Sequence, residues 1–447
     1  MFEKLRAWWT LDTAVERDSP DNPFGPLSPA QRQATGPLLA LAFGWGFLIT
    51  GLFIGGLLGA GQAFWPDLAL SSLLGNGVNF VVGALVGYMG YRSGMNSGLL
   101  FRIVYGNVGA AVPVLFLTVL LVFWQGITVG AFSFAWVQDF ESPWFYAVAV
   151  LAGLLYTATT YYGVKGLERV ALPAVLVLVA VLIYAGWYNL GRAGGWDGFL
   201  ALSRETAAKA PLTTVQAMNI VIGSWIVGAV VMAEYTRFAR QAWVSIAIPF
   251  IVLIVAQWVL QFVGAMGGVV SGNFDFTVYM RSVGPLVALF GLIAMSFALW
   301  TTGDANLYLP SIQTASVFRR PKRVMVVICG LLGTLIGLGI YQRFMDFITV
   351  LATIAPPIIG PVIVDYYLCN RMHFRAELLD RLPAWNPIAV VAFAAGAVSA
   401  WFSPAWIANG LFGLLVSMAV YGLLYALSGL LGIRLGHARA AAGAGAR

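Results

Sequence analysis

Thr301, Thr302 and Asp304 place two hydroxyls and a carboxylate within one apolar stretch of this sequence. At the centre of a membrane helix a carboxylate costs at least about 2.5–3.5 kcal/mol, so Asp304 is a candidate to bind a substrate donor, a proton or a cation. Two hydroxyls and nearby backbone carbonyls offer the oxygen ligands that a hard cation such as Na⁺ takes. Structural roles are the alternatives: a contact of Asp304 with a neighbouring helix, and hydroxyls that bond the carbonyl one turn back.

Trp124 and Gln125 lie side by side in the middle of a second apolar stretch. A planar heterocycle can stack on an indole, and stacking of a base on an aromatic side chain contributes ~1–3 kcal/mol. The chain contains 16 tryptophans, most of which must pack or anchor helices at an interface, so packing is the alternative role for Trp124.

The composition indicates that these residues lie in a membrane. Of the 447 residues, 60% are hydrophobic and 10% are charged, and the mean hydropathy is +0.84. A soluble chain carries roughly 25% charged residues, so lipid must be the solvent for much of this one. The net charge of +7 does not indicate nucleic-acid binding, because Lys and Arg lie in short loops and form no stripe. Two histidines and two cysteines give little material for zinc chemistry, His-based catalysis or a disulfide framework.

A spanning helix needs about 20 mostly apolar residues, and the sequence predicts twelve of them. The predicted fold class is therefore an all-α integral membrane bundle. Its longest external loop is predicted near 191–212. The predicted spans lie near 35–61, 67–91, 107–136, 143–163, 170–190, 213–236, 243–270, 284–312, 323–341, 346–368, 385–402 and 405–432.

The distribution of basic residues predicts the orientation of the bundle. All but five of the 25 Lys and Arg fall in the N-terminus, the C-terminus or the loops that follow even-numbered spans. The five exceptions are Arg192, Arg204, Lys209, Arg281 and Arg343. By the positive-inside rule both termini are cytoplasmic, in a bacterial-type inner membrane. The N-terminus lacks the apolar run of a cleavable signal peptide.

Glycine-rich interruptions are expected in the first and sixth spans, over Phe43–Gly51 and Ile222–Gly228. These positions are equivalent if ten helices form two inverted repeats of five, and paired interruptions of this kind indicate a transporter's binding site. Close helix packing is the alternative explanation of the glycines. In span ten, Pro356-Pro357 predicts a kink or break, either a hinge or static.

The domain order predicted from these features has five parts. They are a cytoplasmic N-terminal segment over 1–34, a first repeat over 35–190, a second repeat over 213–368, two further helices over 385–432 and a disordered cytoplasmic tail over 433–447.

Over essentially its whole length the chain resembles the nucleobase–cation symporter-1 family, and within it the bacterial cytosine/purine permease branch. The residues that carry the resemblance are Gly55-Gly56 with Gly59, Trp124-x-Gly126, Gly223-Ser224-Trp225, the stretch 233–240, Trp300-Thr301-Thr302-x-Asp304, and Pro356-Pro357 with Asp365-Tyr366. The resemblance implies twelve spans with a 5+5 inverted repeat, as in the sodium-coupled amino-acid symporters.

The resemblance also implies a binding site. In that family an aromatic ring is sandwiched between span three and span six, and a sodium ion lies between spans one and eight. The residues implied as Na⁺ ligands are Gly44, Phe47 and Ala298 through their carbonyls, and Thr301 and Thr302 through their hydroxyls. The residues predicted around the substrate are Trp124, Trp225, Ser224, Gly223, Thr128, Gln125, Gly303 and Asp304.

Several positions depart from the family pattern. Leu121 and Thr128 stand where members carry a glutamine one turn before or after the tryptophan of span three. Gly303 replaces a typical asparagine, and Val227 replaces a serine of the cytosine branch. Because hydrogen-bonding groups of a site give it specificity, cytosine is doubtful as the substrate. The hypothesis is a planar heterocycle that is less polar or differently substituted.

The predicted function is Na⁺-coupled symport of a nucleobase or related nitrogen heterocycle by a monomer, with no organic cofactor. Proton-coupled uptake of a hydantoin, allantoin or vitamin-precursor pyrimidine, through Asp304 or Glu234, is the alternative within the same class. An integral-membrane enzyme acting on lipid or isoprenoid would need a clustered acidic or His motif, which the sequence lacks. A channel is disfavoured because no repeated pore loop or ring-forming charged motif is present.

Overall fold

The structure is a computed structural model, and it describes residues 9–10, 24–162, 177, 180, 183–184, 186–374 and 376–433. Within these residues the regular elements are helices. The first part of the bundle comprises α1 (Thr35–Gly46), α2 (Thr50–Gly61), α3 (Ala69–Ser93), α4 (Ser97–Tyr105), α5 (Ala111–Val137) and α6 (Pro143–Tyr162). A π-helical turn over Phe64–Leu68 leads into α3.

The second part of the bundle is described from residue 186 onward. It comprises α7 (Trp196–Lys209), α8 (Thr214–Val230), α9 (Ala233–Thr236), α10 (Ala242–Pro249), α11 (Gln257–Ser271), α12 (Phe276–Val283), α13 (Pro285–Phe318), α14 (Lys322–Gly337), α15 (Phe344–Val364), α16 (Pro387–Trp401) and α17 (Asn409–Leu430). A π-helical segment, Phe250–Ala256, joins α10 to α11, and a 3-10 turn, Ile340–Arg343, precedes α15.

Among the described residues, eight continuous helical runs are long and apolar enough to cross a membrane, and the bent pair α1–α2 makes nine. The chain is therefore a multi-pass α-helical membrane protein. Of the other predicted spans, more than half of 170–190 lies outside the described residues, while 323–341 and 385–402 correspond to the shorter helices α14 and α16. The predicted loop 191–212 contains α7, an amphipathic surface helix that the hydropathy pattern did not indicate.

The interruption expected in the first span is confirmed. Helix α1 ends at Gly46, α2 begins at Thr50, and their axes differ by 42°. The prediction for the sixth span was wrong in position, because α8 runs continuously through Ile222–Gly228, and only a short turn at Val231–Met232 separates it from α9. The glycines of α8 serve packing instead: a Cβ on Gly223 would lie 2.7 Å from the Ile348 carbonyl oxygen of α15.

Small residues hold α2 directly against α11. A Cβ on Gly55 would lie 2.1 Å from the carbonyl oxygen of Gln261, and one on Gly264 would lie 2.2 Å from that of Leu52. Such contacts bring two backbones together, which is how membrane helices associate where lipid offers no hydrophobic driving force.

The break considered for span ten does not occur. Helix α15 runs without interruption through Pro356 and Pro357.

Arg32 and Arg240 contact each other at one end of the bundle, which we call the basic end. There, the Arg32 guanidinium donates to the carbonyl oxygens of Ala239 at 3.1 Å and Tyr91 at 2.9 Å. The Arg240 guanidinium in turn donates to the Arg32 carbonyl at 2.9 Å. Helices α7 and α12 lie at the other end, which we call the opposite end.

Candidate functional site

The break between α1 and α2 exposes backbone carbonyls in the interior of the bundle. The Phe47 N–H caps α1 by donating to the Phe43 carbonyl at 3.0 Å. The next N–H groups turn away: that of Ile49 donates to Thr302 Oγ1 at 3.4 Å, and that of Gly51 to the Leu48 carbonyl at 3.4 Å. The carbonyls of Trp45 and Phe47 therefore lose the donors that a continuous helix would supply, at the negative end of the α1 dipole.

Helix α13 presents its hydroxyl pair near this break. Thr301 and Thr302 donate to the Ala298 carbonyl at 3.0 and 2.7 Å, which is the structural bond expected of threonine in a membrane helix. That bond uses the single hydroxyl proton, and each oxygen keeps at least one lone pair, since among the described residues Thr302 Oγ1 accepts only from the Ile49 N–H. The contact between Ile49 and Thr302 joins the broken helix to α13. The arrangement supplies hydroxyl and carbonyl oxygens, the ligands that a hard cation takes.

Trp225 of α8 and Trp45 of α1 form an aromatic pair beside the break. Their ring centroids lie 5.4 Å apart with an interplanar angle of 65°, and both side chains are 5% exposed. The Trp45 ring also lies 4.0 Å from the ring of Tyr235, which belongs to α9 beyond the turn in the sixth span. Gly228 makes room for Trp225, since a Cβ there would lie 2.8 Å from the indole. Trp45 thus contacts the sixth span on both sides of this turn.

The indole nitrogen of Trp225 is a buried donor for which the described residues supply no acceptor. Buried indole N–H groups usually find a partner, so a bound solute or water is the expected acceptor. Because this N–H lies in the plane of the indole, its acceptor must lie beyond the edge of the indole and not in a ring stacked on its face.

Trp124 of α5 packs edge-on against α15. Its ring centroid lies 6.0 Å from that of Phe344, at 68°, and 5.3 Å from that of Phe347, at 81°. The edge-on geometry is a favourable one for aromatic pairs. Trp124 itself is 5% exposed.

Phe344 continues into an aromatic cluster toward the opposite end of the bundle. This cluster, which we call the aromatic cap, consists of Phe53, Phe274, Tyr341 and Phe344, whose ring centroids lie 5.5–6.5 Å apart.

A carboxylate joins the aromatic cap to α12. The Tyr341 hydroxyl donates to Asp275 Oδ2 at 2.7 Å, and the Thr277 hydroxyl and N–H donate to Asp275 Oδ1 at 2.6 and 2.8 Å. Burial raises the pKa of the Asp275 carboxyl above its usual range, while the hydrogen bonds from Thr277 and Tyr341 lower it in part.

Gln125 and Thr128 make contacts different from those of Trp124. The Gln125 side chain packs on α14, where a Cβ on Gly333 would lie 2.5 Å from its Cγ, and its amide atoms have no partner among the described residues. The Thr128 hydroxyl donates to the Gln125 carbonyl of its own helix at 2.8 Å. Of the three residues predicted on α5, Trp124 is therefore the one that packs against the phenylalanines of α15.

Gly303 and Asp304 lie against α6. A Cβ on Gly303 would lie 2.5 Å from the ring of Tyr156. Asp304 Oδ1 accepts from the hydroxyls of Thr159 at 2.6 Å and Thr160 at 3.3 Å. These two predicted substrate residues thus contact a helix that carries neither Trp124, Trp225 nor the break.

Ser224 and Gly223 lie on α8 beside Trp225, but their contacts are with helix backbone. The Ser224 hydroxyl donates to the Val221 carbonyl at 2.7 Å, which also accepts from the Asn79 amide at 3.1 Å. Glu234, the other carboxylate considered for proton coupling, lies at the basic end and accepts from the Ser97 N–H at 3.0 Å, where α4 begins.

Sequence reasoning missed Trp45, which contacts Trp225, and Phe344 and Phe347, which contact Trp124. Trp45 had a signal in the sequence, because it stands between Gly44 and Gly46 immediately before the break. The two phenylalanines had none beyond lying one turn apart at the start of α15, because 29 phenylalanines occur in the chain.

A broken membrane helix that faces buried hydroxyls and aromatic walls is the architecture of a carrier for a small solute. A model of the family described as permeases for cytosine/purines, uracil, thiamine and allantoin matches residues 32–432, and the chain belongs to this family. The resemblance found in the sequence motifs is thereby confirmed. Membership points to a transporter and not to an enzyme.

Curated relatives carry the names of permeases. The cytosine permease of Escherichia coli strain K12 is 28% identical over 388 residues, which cover 86% of this chain and 90% of the relative. The hydantoin permease of Microbacterium maritypicum is 23% identical over 348 residues, which cover 69% of this chain and 68% of the relative.

Two solved structures show the same fold. Mhp1, a nucleobase-cation-symport-1 family transporter in a closed conformation with bromovinylhydantoin bound, matches with a TM-score of 0.75 at 18% identity, covering 91% of this chain and 95% of that one. A Na⁺-coupled sialic acid symporter in a substrate-bound outward-open state matches with a TM-score of 0.62 at 12% identity, covering 95% and 96%.

Proposed function

We propose that this chain is a Na⁺-coupled symporter of a nucleobase or a related planar nitrogen heterocycle, working by alternating access. Family membership supports transport of a small solute of this class. The single observation that carries the coupling proposal is the contact between the Ile49 N–H and Thr302 Oγ1 at 3.4 Å, because it joins the broken first span to the hydroxyl pair of α13.

The proposed cation site uses oxygens from both sides of this contact. On α13 the ligands are the Ala298 carbonyl and the hydroxyls of Thr301 and Thr302, and at the break they are the carbonyls of Gly44 and Phe47. Thr301 is 8% exposed and Thr302 is fully buried, so a cation held there would be largely shielded from water. Binding would draw α1 and α13 together, which gives the ion a means of favouring one conformation over another.

The proposed substrate ring lies between the indoles of Trp124 and Trp225. We call these indoles the first and the second wall. Phe344 and Phe347 pack against Trp124, and Trp45 packs against Trp225. Ser224 and Thr128, two polar residues predicted around the substrate, use their hydroxyl protons on carbonyls of their own helices. This supports a heterocycle less polar than cytosine, held chiefly by stacking.

The wider organisation follows from the same proposal. It comprises twelve spans with cytoplasmic termini, two inverted repeats of five, and two further helices. The break at 47–49 and the turn at 231–232 would be equivalent points of the repeats, as in carriers that bind near the midplane. The basic end would then face the cytoplasm.

The test of coupling is uptake into proteoliposomes by Thr302→Ala, with Thr314→Ala as a matched control. Thr314 lies on the same helix, is buried, and donates to the Pro310 carbonyl one turn back at 2.5 Å. Thr302→Ala is expected to abolish sodium-dependent uptake while Thr314→Ala retains it. Undiminished sodium dependence in Thr302→Ala would overturn the cation assignment.

The substrate is found by a thermal-shift screen of purified protein with and without sodium. The panel comprises nucleobases, hydantoins, allantoin and vitamin-precursor pyrimidines. A compound that stabilises the protein only when sodium is present supports both the substrate class and the coupling ion.

Proton coupling through Asp304 is the second candidate, favoured by one observation. Asp304 is a buried carboxylate, and the partners that the structure describes for it are the hydroxyls of Thr159 and Thr160. Uptake measured with sodium replaced by choline, at two pH values, separates the two ions. Uptake that persists in choline and follows the pH gradient would favour Asp304.

A further inference from the structure

Gln257 is a buried amide directed at the break in the first span. It is the first residue of α11, follows the π-helical segment Phe250–Ala256, and is fully buried. Its Nε2 donates to the carbonyl oxygen of Gly46, the last residue of α1, at 2.7 Å. Its Oε1 has no hydrogen-bond partner among the described residues.

Two glycines allow Gln257 and the residue before it to approach the chain on either side of the break. A Cβ on Gly51 would lie 2.9 Å from Gln257 Oε1, and a Cβ on Gly46 would lie 2.7 Å from the Cβ of Ala256. Gln257 therefore contacts the end of α1 and lies against the beginning of α2. The π-helical segment that precedes it is of a type often found at functional sites in membrane and soluble helices.

The contact matters because it determines which carbonyls at the end of α1 have a hydrogen-bond donor and which do not. A helix leaves its last four carbonyls without intrahelical donors. Here the Phe43 carbonyl accepts from the Phe47 N–H, and the Gly46 carbonyl accepts from Gln257. Of the last four, Gly44 and Trp45 remain, and Gly44 is a proposed ligand of the cation. The amide occupies the Gly46 carbonyl, which could otherwise turn into the same space.

We propose that Gln257 is a positioning residue of the cation site, acting through the Gly46 carbonyl on the orientation of the break. This inference rests on the proposed sodium coupling. Its consequence is selective: loss of the amide donor should weaken sodium binding more than substrate binding, because the aromatic walls are formed by other helices.

Gln261 provides a matched control one turn further along α11. It is also a fully buried amide, but its Oε1 accepts from the Asn76 amide at 2.8 Å and from the Ser72 hydroxyl at 2.5 Å, both on α3. Removing it disrupts a buried polar contact of the same kind without touching the carbonyls of α1.

The experiment compares wild type, Gln257→Met and Gln261→Met in proteoliposomes. For each protein it measures the sodium concentration for half-maximal uptake, the substrate KM at saturating sodium, and the thermal midpoint. Gln257→Met should raise the half-maximal sodium concentration by about five- to tenfold, the effect of one lost hydrogen bond, and leave the KM within about twofold. Gln261→Met should lower the thermal midpoint and leave the sodium constant unchanged.

An unchanged sodium constant in Gln257→Met, or an equal increase in Gln261→Met, would overturn the role of Gln257. If Gln257→Met does not fold, Gln257→Leu carries the same test, because it also removes the amide donor without adding a charge beside the cation site. Failure of the proposed function is seen separately, as absence of sodium dependence in the wild type.

Discussion

Thr302 and Asp304 lie two residues apart on α13, and their side chains bond to different parts of the bundle. Thr302 Oγ1 accepts from the Ile49 N–H at the break of the first span, whereas Asp304 Oδ1 accepts from Thr159 on α6. Two residues correspond to about 200° around a helix, so one face of α13 meets the broken span while the other meets α6. The two groups are thus candidates for separate roles.

Asp304→Asn should retain sodium-dependent uptake if this separation holds. The amide keeps an oxygen to accept from Thr159 and Thr160, and the charge is not needed for a cation bound at Thr302. Asp304→Ala removes the acceptor of both hydroxyls and should destabilise the protein by about 1–3 kcal/mol. Uptake and thermal midpoint are measured on both variants. Loss of sodium-dependent transport in a well-folded Asp304→Asn protein would contradict the separation.

Trp225→Phe and Trp225→Ala distinguish stacking from hydrogen bonding at the second wall. Alanine removes the stacking surface and should weaken substrate binding by about 10- to 100-fold. Phenylalanine keeps an aromatic face but removes the N–H that has no protein acceptor among the described residues, so a smaller loss is expected. Binding is measured by titration in sodium. Equal affinity of wild type and Trp225→Ala would rule out the stacking role.

Trp45→Ala should impair transport although Trp45 is not one of the two proposed stacking residues. Its ring contacts Trp225 and Tyr235 on the two sides of the turn in the sixth span. Removing two aromatic contacts should weaken substrate binding by about fivefold or more, and Trp45→Phe should recover part of it. Binding affinity and uptake are compared with those of Trp243→Phe, which alters an exposed tryptophan near the basic end. Wild-type behaviour of Trp45→Ala would show that the contact is only packing.

Tyr341→Phe should destabilise the protein in a pH-dependent manner through Asp275. Burial raises the pKa of Asp275, so the folded state binds this proton more tightly than the unfolded state, and stability falls as pH rises from the unfolded value through the folded one. The Tyr341 hydroxyl favours the ionised carboxylate and offsets part of that fall.

Its removal should therefore cost about 1–3 kcal/mol above the folded pKa of Asp275 and much less below the unfolded value, where the carboxyl is protonated in both states. Thermal midpoints of Tyr341→Phe and wild type across a pH series check this. Tyr146→Phe, at an exposed tyrosine, is the control. A pH-independent difference between Tyr341→Phe and wild type would exclude Asp275 as its cause.

Some of the site could be predicted because it depends on local chemistry. The first span was expected to break because glycines surround Trp45, and adjacent hydroxyls in an apolar helix singled out Thr302, which contacts that break. The cation site itself stays a prediction. The sixth span shows the limit of such reasoning. Its glycines at 223 and 228 predicted a break, but they accommodate α15 and an indole, and only a short turn follows a few residues later.

The sequence by itself determined that this chain resides in a membrane as a bundle of helices, because composition and the length of apolar runs decide which solvent a segment can enter. It also determined the family, through short motifs in a specific order. Tertiary structure alone decided that Thr302 meets the break, that Asp304 meets α6, and that Trp45 contacts the sixth span and Gln257 the broken first span. Residue spacing gives the angle of each side chain around its own helix, but only packing decides which neighbour occupies each face.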